Sequence, residues 1–383
     1  MGATSRLREV AALFLRLGLT TFGGPAAHIA VMEDECVRRR GWITPQQFLD
    51  VLGAANLIPG PTSTELAMHV GLRRAGWAGL VVAGVCFIAP AAILVGLLAA
   101  LYVQAGQLPA FEGILRAVKP VVVVIVLQAL LGLSRSALRS IRLVLLALLT
   151  AAAAAAGLSE IGVLLGAGVL HAAFGRRAVP VVTAALLSIP LRMMAAAAAV
   201  TVALTSLPSL RSLFTYFLKA GSVIFGSGYV LFAVLRADLV EHAHWLTQGQ
   251  LLDAIAVGQI TPGPVFTSAT FIGYLLGGPA GSAVATIGIF LPGFVFTAIS
   301  AGVLRRLRQS TVARAFLEGV NAAAVALIAL VALALARTAI VDSWTVGIAL
   351  LAAVLVGWFR LNSSWVLAGA AAAGLLLGQQ PLN

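Results

Sequence analysis

Charge and sulfur are scarce in this sequence. Of 383 residues, 10% are charged and 2 are cysteine, whereas soluble domains carry roughly 25% charged residues. Cys36 and Cys86 stand alone, with no CxxC and no Cys/His spacing suited to metal ligands. A disulfide framework, a thiol redox pair and a zinc site are therefore not indicated. Lysine is almost missing: Lys119 and Lys219 are the only two among 25 basic residues. The arginines lie in short segments between apolar runs, where they read as a membrane-topology signal and not as a nucleic-acid surface. GxxxxGK[ST], HExxH, a Ser/His/Asp framework and a Rossmann fingerprint are absent in any suitable context, so the chain by itself reads neither as an ATP-driven pump nor as an enzyme. No cofactor is expected. The polar stretch 1–9 lacks a small-residue cleavage site, and no signal peptide is expected.

What the chain does contain is apolar. Hydrophobic residues make up 61% and the mean hydropathy is +1.04. In lipid every backbone polar group must be bonded internally, which leaves helices or closed barrels. Runs rich in Ala, Leu and Val, such as 143–157 and 322–336, favour helices over barrel strands. The expected class is an all-α polytopic membrane protein.

The sequence also repeats itself 203 residues on. Phe14-Leu15 meets Phe217-Leu218, Gly18 meets Gly221, Phe22-Gly23 meets Phe225-Gly226, and Trp42 and Thr44 meet Trp245 and Thr247. Gln47 falls on Gln250, Asp50 on Asp253, Pro59-Gly60-Pro61 on Pro262-Gly263-Pro264, and Thr64 on Thr267. After a one-residue gap, Gly79 meets Gly281 and Pro90 meets Pro292. This is an internal duplication, with an N-terminal repeat over 1–177, a connecting membrane segment over 178–211 and a C-terminal repeat over 212–383.

Each repeat reads as about five transmembrane helices plus one Pro-Gly-Pro hairpin. First helices are expected near 10–32 and 212–235. Four further spans fall near 77–103, 116–134, 141–157 and 160–174, and near 280–304, 315–336, 344–358 and 361–378. The segments flanking each Pro-Gly-Pro are too short to cross ~30 Å of hydrocarbon, and the prolines forbid one continuous helix. A re-entrant hairpin with its tip near the midplane follows.

Arginine placement sets the relative orientation. Arg38, Arg39, Arg40, Arg73, Arg74, Arg135, Arg139, Arg142, Arg176 and Arg177 share one face, whereas the basic loop of the second repeat, Arg305, Arg306, Arg308 and Arg314, comes one span later. The repeats are thus expected to be inverted, with a connector that crosses twice near Pro190 and both termini outward. Arg6 and Arg8 run against that assignment.

Inverted repeats with broken helices are a common way to build a midplane transport site. Helix N-termini after each Pro-Gly-Pro would offer free N–H groups and a positive dipole end to an anion. Gly60, Thr62, Ser63 and Thr64, with Gly263, Thr267 and Ser268 opposite, are candidate substrate ligands, although the hydroxyls could equally cap their own helices. Arg16 and Lys219 occupy equivalent positions inside apolar runs, where a cation costs about 2.5–3.5 kcal/mol. They are candidate charge partners for the anion, or they snorkel. Lys119, beside Pro120, is a third candidate.

Gly23, Gly24 and Gly226 break or thin the first helices and would either unwind them locally to expose backbone amides or permit close packing. Asn56 and Gln259, aligned before the Pro-Gly-Pro, are ligands or tip braces. His28, and Glu65 with His69 at i, i+4, are proton-coupling candidates, with packed histidine and structural hydrogen bonding as the plain alternatives. Glu33, Asp34 and Glu35 facing Arg38 to Arg40 read as a salt-bridged cluster.

The stretches Phe22-Gly23-Gly24-Pro25-Ala26-Ala27-His28, Trp42-Ile43-Thr44 with Phe48, Asn56-Leu57-Ile58-Pro59-Gly60-Pro61 and Thr261-Pro262-Gly263-Pro264 together resemble the chromate ion transporter family in its long two-domain form. The resemblance covers essentially the whole chain. It implies a multi-pass carrier of the bacterial inner membrane that extrudes chromate, with sulfate as a chemically similar competitor and protons as a candidate coupling ion. The bilayer is its expected environment; nucleic acid is not an expected partner, and a homodimer is compatible with the reading. An anion channel of the same architecture and a membrane reductase are the rival classes.

Overall fold

The computed structural model describes residues 3–22, 24–105, 109–174, 208–225, 228–359 and 361–377. The expected connector, Pro190 and two crossings included, lies outside the described residues over 178–207, as do Gly23, Gly226, Arg176 and Arg177.

The described helices of the first repeat are α1 (Ala3–Thr20), α2 (Gly24–Glu33) running into a π-turn (Asp34–Arg39), α3 (Pro45–Ala55), α4 (Thr62–Ala105), α5 (Pro109–Ala137), α6 (Ile141–Ala155) and α7 (Glu160–Phe174). Those of the second are α8 (Leu210–Val223), α9 (Val230–Leu235) with a π-turn (Arg236–His242), α10 (Gln248–Ile260), a 3-10 turn (Val265–Thr267), α11 (Ser268–Gln309), α12 (Thr311–Ala339), α13 (Ser343–Ala353) and α14 (Ser363–Leu377). Side chains such as Leu97, Leu101, Leu148 and Ile299 are more than half exposed. In water so much open apolar surface would be an aggregation hazard, whereas lipid covers it.

The duplication is visible in small details. Thr44 and Thr247 each cap the following helix through the same box, the hydroxyl accepting from the Gln47 or Gln250 N–H while that glutamine accepts from the cap's own N–H. After each π-turn the tryptophan N–H donates six residues back, Trp42 to Cys36 O at 2.8 Å and Trp245 to Leu239 O at 2.8 Å.

Two helices bend sharply where the sequence suggested separate elements. In α4 the bend falls at Ala75-Gly76, and in α11 at Gly277-Gly278; Gly76 has φ 67° and Gly278 φ 60°, a region costly for any residue with a Cβ. Each bend folds the chain back on itself so closely that a Cβ on Gly71 would run into the Gly79 carbonyl, and one on Gly273 into that of Gly281. The limbs 62–74 and 77–105 are thus distinct. The former, about 20 Å long at 1.5 Å per residue, is too short to cross a bilayer.

The expected first helix near 10–32 needs correction. It is broken between Thr20 and Gly24, and its two parts fold back toward one side. Residues 16 and 35 would lie about 28 Å apart along a straight helix, yet Arg16 Nη2 and Glu35 Oε1 are 2.7 Å apart. Glu9 meets Arg74 at 2.6 Å, and the Arg74 guanidinium lies over the Trp42 ring at 5.2 Å. The second repeat does the same: the Tyr216 and Trp245 rings are 6.3 Å apart across the break between α8 and α9. Gly24, with φ 76°, supplies the reversal. The start of α1, with Arg6 and Arg8 on it, thereby lies on the side that carries Arg38 to Arg40 and Arg74, which goes against the outward N-terminus expected from the sequence.

Each repeat also leans on the other. The long limbs of α4 and α11 pack together, α1 lies along α4 and α8 along α11. Beyond them, α6 and α7 pack on α12 of the second repeat, and α13 and α14 pack on α5 of the first. This exchange of final helices means that neither half buries its own last two helices alone.

Candidate functional site

The chain breaks of the two repeats meet in two pairs. The Gly60 N–H donates to Ile224 O at 2.8 Å, and the Gly263 N–H donates to Thr21 O at 3.1 Å. Residues 60 and 263, like 21 and 224, are repeat equivalents. The bonds are therefore one contact made twice, each Pro-Gly-Pro tip clasping the α1/α2-type break of the opposite repeat.

Contacts with the long limbs place each pair along α4 and α11. Gly18 abuts the Phe87 carbonyl, a Cβ on Gly263 would meet Ala91, Gly221 abuts the Ile289 carbonyl and Gly60 faces Gly293. Residues 87–91 and 289–293 lie about halfway along limbs that run over 77–105 and 279–309. The first limb begins beside Arg74, at the base of the first repeat's hairpins. It ends at Tyr102, whose hydroxyl donates to Asp253 at 3.0 Å, near the base of the second repeat's Pro-Gly-Pro hairpin.

Around the first tip, Thr62, Ser63, Thr64 and Glu65 are buried. The N–H groups of Thr64 and Glu65 both return to Pro61 O, and α4 starts at Thr62 with its N-terminus toward the tip. The Thr64 hydroxyl and both Glu65 carboxylate oxygens have no hydrogen-bond partner. His69 Nε2 lies 3.3 Å from Ser300 Oγ. Around the second tip the hydroxyls are spent on their own backbone: Thr267 donates to Pro264 O at 2.8 Å and Ser268 to Val265 O at 2.9 Å. Gln259 is buried, bonds the Tyr229 hydroxyl and leaves its Nε2 unpartnered; its counterpart Asn56 is exposed. His28 is buried, its Nε2 3.2 Å from Thr21 O, the same carbonyl that receives Gly263. Its ring stands edge-on to Phe87 with centroids 5.3 Å apart.

The sequence-selected cations stand elsewhere. Arg16 is half exposed and bonded to Glu35, which also receives Arg40 at 3.2 Å. The salt-bridged cluster expected there includes Arg38 with Glu33 and Arg39 with Asp34. Lys219 is exposed, and its charge acts on Asp238, the repeat equivalent of Glu35. Sequence reasoning singled out Arg16 and Lys219 but missed that Glu35 and Asp238 align at the same offset. Lys119 meets Asp253 at 2.9 Å. With Tyr102, Gln250, Glu112 and Arg116 they line a cavity of about 680 Å³, in which Arg116 also bonds Asp342. Asp342 sits in the α12–α13 loop, where the Thr345 N–H and the Arg116 guanidinium hold its carboxyl at about 2. Among the described residues no three His, Cys, Asp or Glu side chains come together as a metal site.

Apolar helices that only lipid can cover, wrapped around paired helix breaks, define a multi-pass helical membrane protein. The family profile described as "Chromate transporter" matches the chain twice, over residues 8–210 and 211–375. The chain belongs to the chromate transporter family, a family of membrane transport proteins and not of enzymes, in its long two-domain form. It is 33% identical over 381 residues to a chromate transport protein of Cupriavidus metallidurans, covering 97% of this chain and 94% of that one. A chromate transport protein of Pseudomonas aeruginosa is 32% identical, with 96% and 92% covered. A probable chromate transport protein of Synechococcus elongatus is 31% identical, with 94% and 90% covered. No solved structure matches the chain.

Proposed function

We propose that the protein is a secondary transporter that carries chromate out of the cell across the bacterial inner membrane, with the oxyanion held between the two pairs of chain breaks and exposed to each face in turn. The observation that carries this reading is the reciprocal pair Gly60–Ile224 and Gly263–Thr21, halfway along two long apolar limbs. It supports two repeats inserted from opposite faces, with both hairpin types of each repeat re-entrant and four crossings per repeat in place of five. Helix N-termini at the two tips then meet at the midplane, where their N–H groups and dipoles favour an anion.

In this reading Thr64 is the free hydroxyl donor. Thr62, Ser63 and the Gly60 and Gly263 backbones shape the first shell, Gln259 offers its unpartnered amide, and Thr267 and Ser268 act mainly as caps. Gly24, at φ 76°, makes the turn next to the Thr21 carbonyl that meets the opposite tip. Arg16 and Lys219, with their carboxylate partners, pin the limbs that set tip position, and His28 braces the Thr21 carbonyl. Sulfate, a tetrahedral dianion of similar size, competes for the same donors.

Counterflow in proteoliposomes tests the reading. Chromate uptake should be stimulated by chromate or sulfate on the opposite side and fall on Thr64→Ala plus Thr267→Ala. Wild-type flux in that double variant would sink the tip site, and high conductance without trans-stimulation would mark a channel.

A further inference from the structure

Glu65 is the acidic side chain that the oxyanion site does not explain. It is completely buried, and neither carboxylate oxygen has a hydrogen-bond or ion-pair partner. It lies against the Gly60 tip, in reach of Gly293 on α11. An unpaired carboxylate in such a place is too costly to keep charged, by several kcal/mol at the least.

Its surroundings continue as a polar stripe. On its own limb, His69 is one turn further on and Arg73 one more turn, close enough for its charge to act on His69. On α11, Gly293, Thr297 and Ser300 follow at i, i+4 and i+7, one face of a helix. Thr297 is fully buried with an unpartnered hydroxyl, and Ser300 bonds His69. These are the polar and titratable groups facing Glu65 from the tip, from its own limb and from α11; among the described residues no Lys or Arg pairs with it. The stripe starts at the tip and runs toward the base that carries Arg73 and Arg74.

The second repeat has no such path. At the 202-residue offset that holds beyond the gap, Val95 and Leu98 stand in place of Thr297 and Ser300, and at the 203-residue offset before it Ser268 and Ile272 stand in place of Glu65 and His69. Only one half of an otherwise duplicated site carries a proton acceptor and a relay to it.

Resting on the transport reading above, we propose that Glu65 is a single proton-binding site coupled to the oxyanion. It is loaded through His69, Ser300 and Thr297 from the arginine-rich face: the carboxylate takes one proton to become a neutral acid, and it gives that proton up at the tip when the oxyanion site opens to the opposite face, so that one proton crosses the membrane in each cycle. One coupled proton converts each pH unit across the membrane into about a tenfold anion ratio at zero potential.

The test uses the full chain in proteoliposomes, comparing gradient-driven chromate accumulation with counterflow in the absence of a gradient. Wild type should show accumulation rising about tenfold per pH unit. In Glu65→Gln the ratio of gradient-driven to counterflow transport should fall to one, whatever the absolute rate, and His69→Phe should slow the approach to the gradient-set level. Retained gradient response in Glu65→Gln, or a sodium gradient substituting for the pH gradient, would overturn the proton site. Absence of wild-type counterflow would instead strike the transport reading. Should Glu65→Gln fail to fold, carbodiimide modification of the wild type decides. Glu65 should be modified at acidic and neutral pH and spared at alkaline pH, and no modification at any pH contradicts the proposal.

Discussion

Replacing Gly263 by alanine probes the clasp at the centre of the molecule. Gly263 has φ 96°, where a side chain costs roughly 1–3 kcal/mol. The new Cβ would lie 2.7 Å from Ala91 Cβ, inside the 3.5–4.0 Å optimum, adding about 1–3 kcal/mol of overpacking. Displacing the tip also loses the Gly263 N–H bond to Thr21 O, worth about 1 kcal/mol. The sum is about 3–7 kcal/mol, enough to lower the melting temperature in detergent by several degrees and to abolish most flux. Ala91→Gly recreates what the first repeat's tip already meets at Gly293. It should cost about 1 kcal/mol alone but recover about 1–3 kcal/mol in the Gly263→Ala background. Strict additivity of the two, or wild-type stability and flux in Gly263→Ala, would refute the clasp.

Thr64→Ala should lower flux more than Thr267→Ala, because the Thr64 hydroxyl is unpartnered whereas Thr267 already donates to Pro264; equal losses would contradict the assignment. Lys119→Met leaves the buried Asp253 with Tyr102 alone and should cost about 3–5 kcal/mol of thermal stability, with partial recovery on adding Asp253→Asn. The Asp342 carboxyl is held below its ordinary 3.8, at about 2. Its contribution is present above the ordinary value and disappears as pH falls through the lowered one. The melting difference between wild type and Asp342→Asn should therefore stay flat from about pH 5 to 8 and shrink in stronger acid.

The sequence disclosed what repeats and what breaks helices. Paired Pro-Gly-Pro motifs and glycines located both tips, and hydropathy placed the eight later helices with ends off by up to seven residues. The glycines after Phe22 marked a weak point in the first helix, but the fold-back of α1 on α2 escaped it because the reversal shows only through a tertiary pairing of Arg16 with Glu35. Candidate ligands were chosen by side-chain type, so the Thr21 and Ile224 carbonyls, which receive the clasp, carried no signal. Thr297 and Ser300 escaped notice as well, since single hydroxyls in an apolar run mean little until His69 and Glu65 lie across from them.

Thr64→Cys, in a chain with Cys36 and Cys86 replaced by serine, offers the most direct test of a midplane oxyanion site with alternating access. A membrane-impermeant thiol reagent should label it from either face, and chromate or sulfate should protect it from both. Labelling from one face only, or labelling indifferent to the anion, would contradict the account.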